Sequence, residues 1–337
     1  MMHNCIKVLK KDGEFARRAL VELNVLDNSL KIESDYKHIY FPINEFFSND
    51  MISKIPNATC IKKVLEIKTK LPTLENLIGF IPKYEIIGDI AIIDKDIFEK
   101  KNCKIDNKTV ANAILKVHPN IKTVLNTLTH VIGEYRTREF EVIAGEKRYD
   151  TVHKEYGCQY MVDLSKVYFT PRLSTERMRV LSYIHKDDMV IDMFAGVGPY
   201  SILIAKKKGT KVIAIDKNSY AIEFLKKNAI LNSVELDIIE GDAKKIANMF
   251  LNSANHVIMN LPHNANEFLD AAIKMTKKGG TIHYYDITYG DNLFDGSIEI
   301  IKNAADKINR LIEVIDRKIV RSYSPNQYNV CIEVKIY

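Results

Sequence analysis

The chain has 337 residues, 46% hydrophobic and 27% charged, which allows two or three domains with ordinary cores. No apolar run approaches the roughly 20 residues that span a bilayer, so a membrane protein is not expected. Lys and Arg total 49 against 43 Asp and Glu; the net charge of +6 permits a polyanionic partner and does not require one. The N-terminal MMHNCIKVLKKDGEF has neither the apolar stretch nor the cleavage site of a signal peptide, and the cysteines are scattered without a C-x-x-C spacing. A cytoplasmic protein with reduced thiols and no metal site is expected.

Residues 1–68 read as a small α/β unit. Ile6–Leu9 predicts a strand, and Gly13–Leu23 carries Phe15, Ala19, Leu20 and Leu23 at helical spacing. Lys31–Glu33 with His38–Pro42 predicts a hairpin, and Cys60–Ile67 a further strand. Lys70–Leu77, with Pro72, reads as a linker. The middle piece, about 75–165, is α+β. It has strands at Tyr84–Ile93 and Thr123–His130, a helix at Lys108–Val117, and a hairpin of Thr151–Glu155 with Cys158–Leu164 around Tyr156–Gly157.

From 166 to 337 the rhythm is regular. Strands are predicted at Met189–Met193, Lys211–Ile215, Leu236–Ile239, His256–Asn260 and Thr281–Ile287. Between them lie helices at Tyr200–Lys208, Ser219–Leu231, Ala243–Leu251 and Asn264–Met275, the last opened by an Asn264/Glu267 capping box. A helix near 297–311 precedes two final strands, Glu313–Arg321 and Tyr328–Tyr337, joined by a turn at Ser324–Asn326. Alternating β and α units imply a parallel sheet covered on both faces. Finished by an antiparallel hairpin strand, this α/β pattern resembles the class I, Rossmann-like methyltransferase fold.

The strongest local signal is VIDMFAGVGPYS, residues 190–201. A buried strand ends at Asp192, and a turn with Gly196 and Gly198 leads into a helix. A dinucleotide site requires G-x-G-x-x-G, with pyrophosphate on the helix N-terminus. Here the third glycine position is Ser201, and a carboxylate precedes the glycines. That carboxylate would repel a pyrophosphate but attract the ammonium of a methionyl tail. The arrangement of Asp192, Phe194, Gly196 and Gly198 therefore points to S-adenosylmethionine. Asp216, ending the next strand, suits the two ribose hydroxyls, or else caps the helix after it. Asp242 suits the adenine amino group, or else is an N-cap.

After the fourth strand comes Asn260-Leu261-Pro262-His263, a partial match to the D/N-P-P-F/Y motif of enzymes that methylate planar nitrogens. Asn260 and Pro262 fit. Leu261 and His263 do not, and His263 reads as a surface loop residue.

Taken in order, GEYRTREFEVIAGE (133–146), VDLSKVYFTPRLSTERMRV (162–180), the 190–201 loop, MNLPH (259–263), GGTIHYYDI (279–287) and RKIVRSYSPNQYNVCIEVKI resemble the archaeal tRNA (guanine-37-N1)-methyltransferase family. The resemblance implies two N-terminal tRNA-gripping domains before the catalytic one, with boundaries here at 1–68, 75–165 and 166–337. It implies S-adenosylmethionine as cofactor, tRNA as partner, no membrane and no obligate protein partner; a monomer is expected.

Carried onto matching positions, the resemblance makes Glu176, Arg136 and Asn260 the catalytic set. Asn260 also borders the cofactor, and Arg138, Tyr168, Arg172, Arg177 and Pro262 are substrate residues. Guanine N1 is protonated at neutral pH and a poor nucleophile, so Glu176 would remove its proton. Arg136 would stabilise the charge that spreads to O6, and Asn260 would fix the base edge. Glu176 could instead be a charge neighbour of Arg177 and Arg179 on an exposed helix. Two other activities remain open: a wyosine-pathway enzyme, methylating the tricyclic precursor or transferring an aminocarboxypropyl group, and a noncatalytic tRNA-binding protein.

Overall fold

The computed structural model describes residues 2–68, 72–94, 105–129, 133 and 135–337. The chain divides into two compact units, Met1–Pro72 and Thr73–Tyr337. The first holds β1 (Met2–Leu9), β2 (Glu33–Ser34), β3 (His38–Pro42) and β4 (Thr59–Val64) in one antiparallel sheet, ordered β2-β3-β1-β4. The helix Gly13–Glu22 packs Ala16 and Leu20 into a core with Ile6, Val8 and Phe41. The predicted strand Lys31–Glu33 is displaced to Glu33–Ser34. The Asp35 carboxylate accepts the amides of Lys37 and His38, which closes the turn early, while the Lys31 amide bonds to the Glu66 carbonyl instead.

In the second unit, part of the predicted linker is a helix, Leu74–Ile78. Thr73 and Asn76 form a capping box at its start, and residues 69–71 lie outside the described set. The middle sheet contains β5 (Tyr84–Ile87), β6 (Ile90–Ile93), β7 (Thr123–Thr127) and β8 (Phe140–Gly145), in that order. The single strand expected over Tyr84–Ile93 folds back at Gly88–Asp89. Gly88 takes φ +58°, and the Thr151 hydroxyl donates to Asp89. A Gly-Asp pair between two apolar runs is a hairpin signal, and here it outranks strand continuity. The predicted strand end at His130 also lies outside the described residues. β9 (Asp150–Glu155) and β10 (Cys158–Asp163) pair across Tyr156 and Gly157, both at positive φ, as a two-residue hairpin demands.

The large sheet contains β11 (Met189–Asp192), β12 (Lys211–Asp216), β13 (Asp237–Glu240), β14 (Ala254–Met259), β15 (Thr276–Tyr289), β16 (Ile312–Ser324) and β17 (Gln327–Ile336). Its order is β13-β12-β11-β14-β15-β17-β16, and β17 alone runs against the other strands, antiparallel to both β15 and β16. This is the class I methyltransferase arrangement. The strand order reverses at β11, with β12 on one side and β14 on the other, so a crevice opens beyond the carboxyl ends of these strands. The predicted helix Asn264–Met275 opens as a 3-10 turn, Ala265–Phe268. Asn264 makes no side-chain cap and Glu267 pairs with Lys244, so the capping box does not form. One face of the large sheet shares a core with the middle sheet: Ile87, Ile90 and Leu125 pack in the same cluster as Tyr160, Val190 and Leu225. Among the described residues no helix is long and apolar enough to cross a membrane.

Candidate active site

A cavity of about 190 Å³ opens at the switch point. Phe194, Gly196, Asp216, Asn218, Asp242 and Phe268 line one end. Gly196, at φ +55°, would project a Cβ into open space, so the backbone there is free to meet a ligand. Gly198 has a different task from the one the sequence suggests. A Cβ there would come 2.3 Å from Leu225 Cδ1, so this glycine allows the loop to seat on the helix Ser219–Asn232. Asp216 accepts the amides of Gly196 (2.6 Å) and Asn218 (2.8 Å), which fixes its carboxylate at the cavity wall. Burial raises its pKa. Asn218, not Asp216, caps the following helix. Asp242 combines both expected positions, since it caps Ala243–Ile246 and lines the cavity.

Asp192 lies beneath the wall rather than on it. It is 1% exposed and accepts a hydrogen bond from Ser201 (2.7 Å), while its Oδ1 has no partner. Burial pushes its pKa up to about 7, with the Asp216 charge adding to the rise and the Ser201 hydrogen bond opposing it.

The other end of the cavity is lined by Arg136, Tyr168, Asn260, Pro262, Arg321 and Asn329. Arg136 is a non-glycine residue at φ +56°, and its guanidinium lies 5.1 Å from the Tyr168 ring centroid, a cation–π contact. A second, smaller depression adjoins it. Arg136, Arg138, Tyr168, Arg172 and Arg321 are on its rim, with Glu85 opposite. Arg172 is held by Glu85 at 3.1 Å. His263 sits outside, exposed, hydrogen-bonded to the Tyr323 hydroxyl at 3.1 Å.

Two residues of the P-R-L-x-x-E-R motif are more deeply placed than a surface helix would allow. Arg177 is 1% exposed; it pairs with both oxygens of Glu155 (2.8 and 2.5 Å) and reaches the Thr170 carbonyl. Arg177 borders the cavity, but its guanidinium is engaged by the fold. A buried guanidinium must be paired, and this one ties the helix Ser174–Tyr183 to β9. Glu176 is 4% exposed and does not line the cavity; its neighbours Leu173 and Arg177 do. Its carboxylate takes two hydrogen bonds from Arg179 (2.8 and 2.6 Å) and one from the Tyr285 hydroxyl (2.6 Å). Arg179 also donates to Glu333 (2.5 Å), whose pKa falls to about 2 because the His283 and Arg179 charges outweigh its burial. The helix is therefore not an exposed charged face.

Comparison with known proteins fits this architecture piece by piece. The TRM5/TYW2 methyltransferase domain matches residues 151–315, the tRNA methyltransferase 5 N-terminal domain 5–51, and the TYW2 N-terminal domain 61–148. The tRNA (guanine(37)-N(1))-methyltransferase Trm5b of Pyrococcus abyssi is 38% identical over 98% of both chains, and that of Methanocaldococcus jannaschii 39% over 98% of both. The chain belongs to the archaeal tRNA (guanine-37-N1)-methyltransferase family. Among solved structures, Pyrococcus abyssi Trm5b superposes with a TM-score of 0.70 over 99% of both chains at 37% identity. A complex of aTrm5 with tRNALeu gives 0.69, with 99% coverage of both and 36% identity. Methanocaldococcus jannaschii Trm5 with adenosine gives 0.63 at the same coverage and identity. The tRNA(Phe) (4-demethylwyosine(37)-C(7)) aminocarboxypropyltransferase of Methanocaldococcus jannaschii is 33% identical over 75% of this chain and 97% of its own.

In this Trm5-family chain, sequence reasoning missed Asn218, Phe268, Arg321, Tyr323 and Asn329 as wall residues. The segment RSYSPNQYNV, residues 321–330, carried a signal, since it joins the family pattern without any catalytic part assigned to it.

Proposed function

We propose that this chain transfers the methyl group of S-adenosylmethionine to N1 of the guanine at tRNA position 37, next to the anticodon. The observation that carries the reading is coverage. The Trm5b relatives align over the whole chain, N-terminal unit included, whereas the aminocarboxypropyltransferase accounts for three quarters of it. The cavity fits the cofactor. Gly196 offers an open backbone, Asp216 a fixed carboxylate for ribose hydroxyls, Phe194 and Phe268 an aromatic wall, and Asp242 an acceptor for the adenine amine. When bound, S-adenosylmethionine supplies an electrophilic methyl group on a sulfonium.

The remaining demands fall on the chain. As the N1–C bond forms and the S–C bond breaks, N1 must lose its proton. Glu176 takes it in this reading, supported by its place in the family motif and by the Arg179 and Tyr285 hydrogen bonds that hold it in one orientation. Because the carboxylate stands behind the wall, the role requires the target nucleotide to draw it forward. Arg136, on the wall with no carboxylate partner among the described residues, meets the negative charge at O6. Asn260, whose side chain has no hydrogen-bond partner among the described residues, fixes the base edge.

The test is incubation with unmodified tRNA and cofactor labelled in either the methyl or the aminocarboxypropyl carbons, followed by mass mapping of the nucleoside. Methyl label at N1 of guanine 37 supports the reading. Label from the aminocarboxypropyl carbons, or none, removes it.

A further inference from the structure

The C-terminal hairpin contributes two polar groups to the cavity that no part of the mechanism above uses. Arg321 of β16 stands directly opposite Asn329 of β17, so their side chains emerge on one face of the sheet. Breaks in register flank them, between Ile319 and Arg321 and between Ser322 and Ser324. Such bulges re-aim side chains beside functional sites. Both residues line the cofactor cavity, and Arg321 also borders the arginine-rich depression.

Neither is satisfied by the protein. Arg321 Nε is inaccessible and has no hydrogen-bond partner, and no carboxylate pairs with its guanidinium among the described residues; its neighbour is the Tyr323 ring, 5.7 Å away. Asn329 is 2% exposed, and its Oδ1 is likewise buried and unpaired. A buried polar atom left without a partner is costly. Arg172, four-tenths covered, is by contrast engaged by Glu85. An electron-rich ligand atom is the missing partner of Arg321 Nε, and an N–H or O–H donor that of Asn329 Oδ1. The groups immediately beside Arg321, Asn329 across the strand pair and the Tyr323 ring, are neutral and planar and suit the edge of a base.

We infer that Arg321 reads the N7/O6 edge of the target guanine, with Asn329, its cross-strand neighbour, limiting the directions its side chain can take. An arginine fork on guanine N7 and O6 is the commonest specific contact to that base. It would leave the Watson–Crick edge, where N1 reacts, to Arg136 and Asn260. This inference rests on the reading that guanine 37 is the substrate.

The experiment uses the full chain and tRNA transcripts carrying either guanine or 7-deazaguanine at position 37, in single-turnover assays at saturating cofactor. The unmutated enzyme is expected to lose roughly 10- to 100-fold on the 7-deaza transcript. Arg321→Ala is expected to lose a similar factor on the guanine transcript and almost nothing more on the 7-deaza one. Asn329→Ala should show the same loss of coupling in weaker form. Arg321→Lys keeps the charge and the stem, and it should still lose the coupling because it lacks the fork.

Calorimetric affinity for S-adenosylmethionine should stay at the unmutated value in each variant, which marks an intact fold. If Arg321→Ala loses equally on both transcripts and its salt dependence flattens, Arg321 holds a phosphate and the inference fails. It also fails if the unmutated enzyme is indifferent to N7. No methylation of the guanine transcript by the unmutated enzyme would instead overturn the functional reading, and this assignment with it.

Discussion

The two ends of the cavity hold their polar groups in opposite states. At the cofactor end, folding gives each acidic side chain a hydrogen-bonding partner, with Asp192 Oδ1 alone left unpaired. Asp216 is locked by two backbone amides, Asp242 by the amide of Lys244, and Asp192 by Ser201 beneath them. At the nucleotide end, the side chains of Arg136, Arg138, Asn260, Arg321 and Asn329 have no hydrogen-bond or ion-pair partner among the described residues, although all border a cavity. The first end is preorganised for a small ligand of fixed shape. At the second, two sealed polar atoms, Arg321 Nε and Asn329 Oδ1, lack partners, and the remaining side chains are open to an incoming polar group. The difference separates two kinds of arginine: Arg177 is paired with Glu155 inside the fold, whereas Arg136 and Arg321 line the cavity without a carboxylate partner among the described residues.

The largest effect that would sharpen this contrast is on chemistry. Glu176→Gln preserves shape and should slow single-turnover methylation by roughly 10²–10⁴-fold. Arg136→Ala should cost on the order of 10²–10³. In the proposed mechanism both act on one transition state, so the double mutant should lose less than the product. A Glu176→Gln enzyme running at the unmutated rate would return Glu176 to a purely structural ion pair with Arg179.

Next comes stability. Arg177→Ala leaves Glu155 charged and buried, and urea denaturation should report a loss of about 3–5 kcal/mol. Arg321→Ala removes a charge that has no partner, so the protein without tRNA should keep its stability or gain some. Equal losses in the two variants would break the distinction between paired and unpaired arginines.

A smaller effect tests the cofactor end. Asp216→Ala should weaken S-adenosylmethionine binding by roughly 10- to 100-fold, the value of hydrogen bonds to a charged group. Unchanged calorimetric affinity would remove Asp216 from the site.

The gentlest test is titration of the cofactor-free protein. Burial lifts Asp192 to about 7, while in the unfolded chain an aspartate titrates near pH 4. Between those values the folded state holds a proton that the unfolded state has lost. Stability therefore falls as pH rises through this window, by up to about 1.4 kcal/mol per pH unit, and levels off above it. Asp192→Asn should lack this contribution. Identical pH–stability slopes for the two proteins would show that Asp192 is ionised in the fold across the window.

The sequence carried the large sheet well, because short β-branched runs such as Val190–Ile191 and Val212–Ile215 alternating with helices admit few arrangements. It carried the glycine loop and Asp216 for the same local reason: a strand end, a turn and a helix start lie within a few residues of one another. It did not carry burial of charge. Arg172 and Arg177 stand in one motif and look alike in sequence, yet one is half-exposed and the other sealed, because Glu155 arrives from a distant hairpin. Arg321 and Asn329 meet only through the register of β16 on β17, with its bulges, which no local pattern announces. The Gly88–Asp89 fold-back and the missing Asn264 cap were failures of local grammar. In each, a tertiary contact, to Thr151 in one and to Lys244 in the other, decided between two plausible readings.

The core shared by the middle sheet and the large sheet has a consequence for cooperativity. Ile87, Ile90 and Leu125 are buried with Val190 and Leu225, so neither sheet can open while the other stays closed. Amide protons of β6 and β11 should exchange with solvent in one common opening event, at one free energy. The unit Met1–Pro72 has a hydrophobic cluster of its own, built on Ile6, Leu20 and Phe41, and can breathe on a separate timetable. The strand preceding Arg136 and the loop after Asp192 thus share one melting transition: whatever temperature dissolves the nucleotide wall dissolves the methyl-donor site with it.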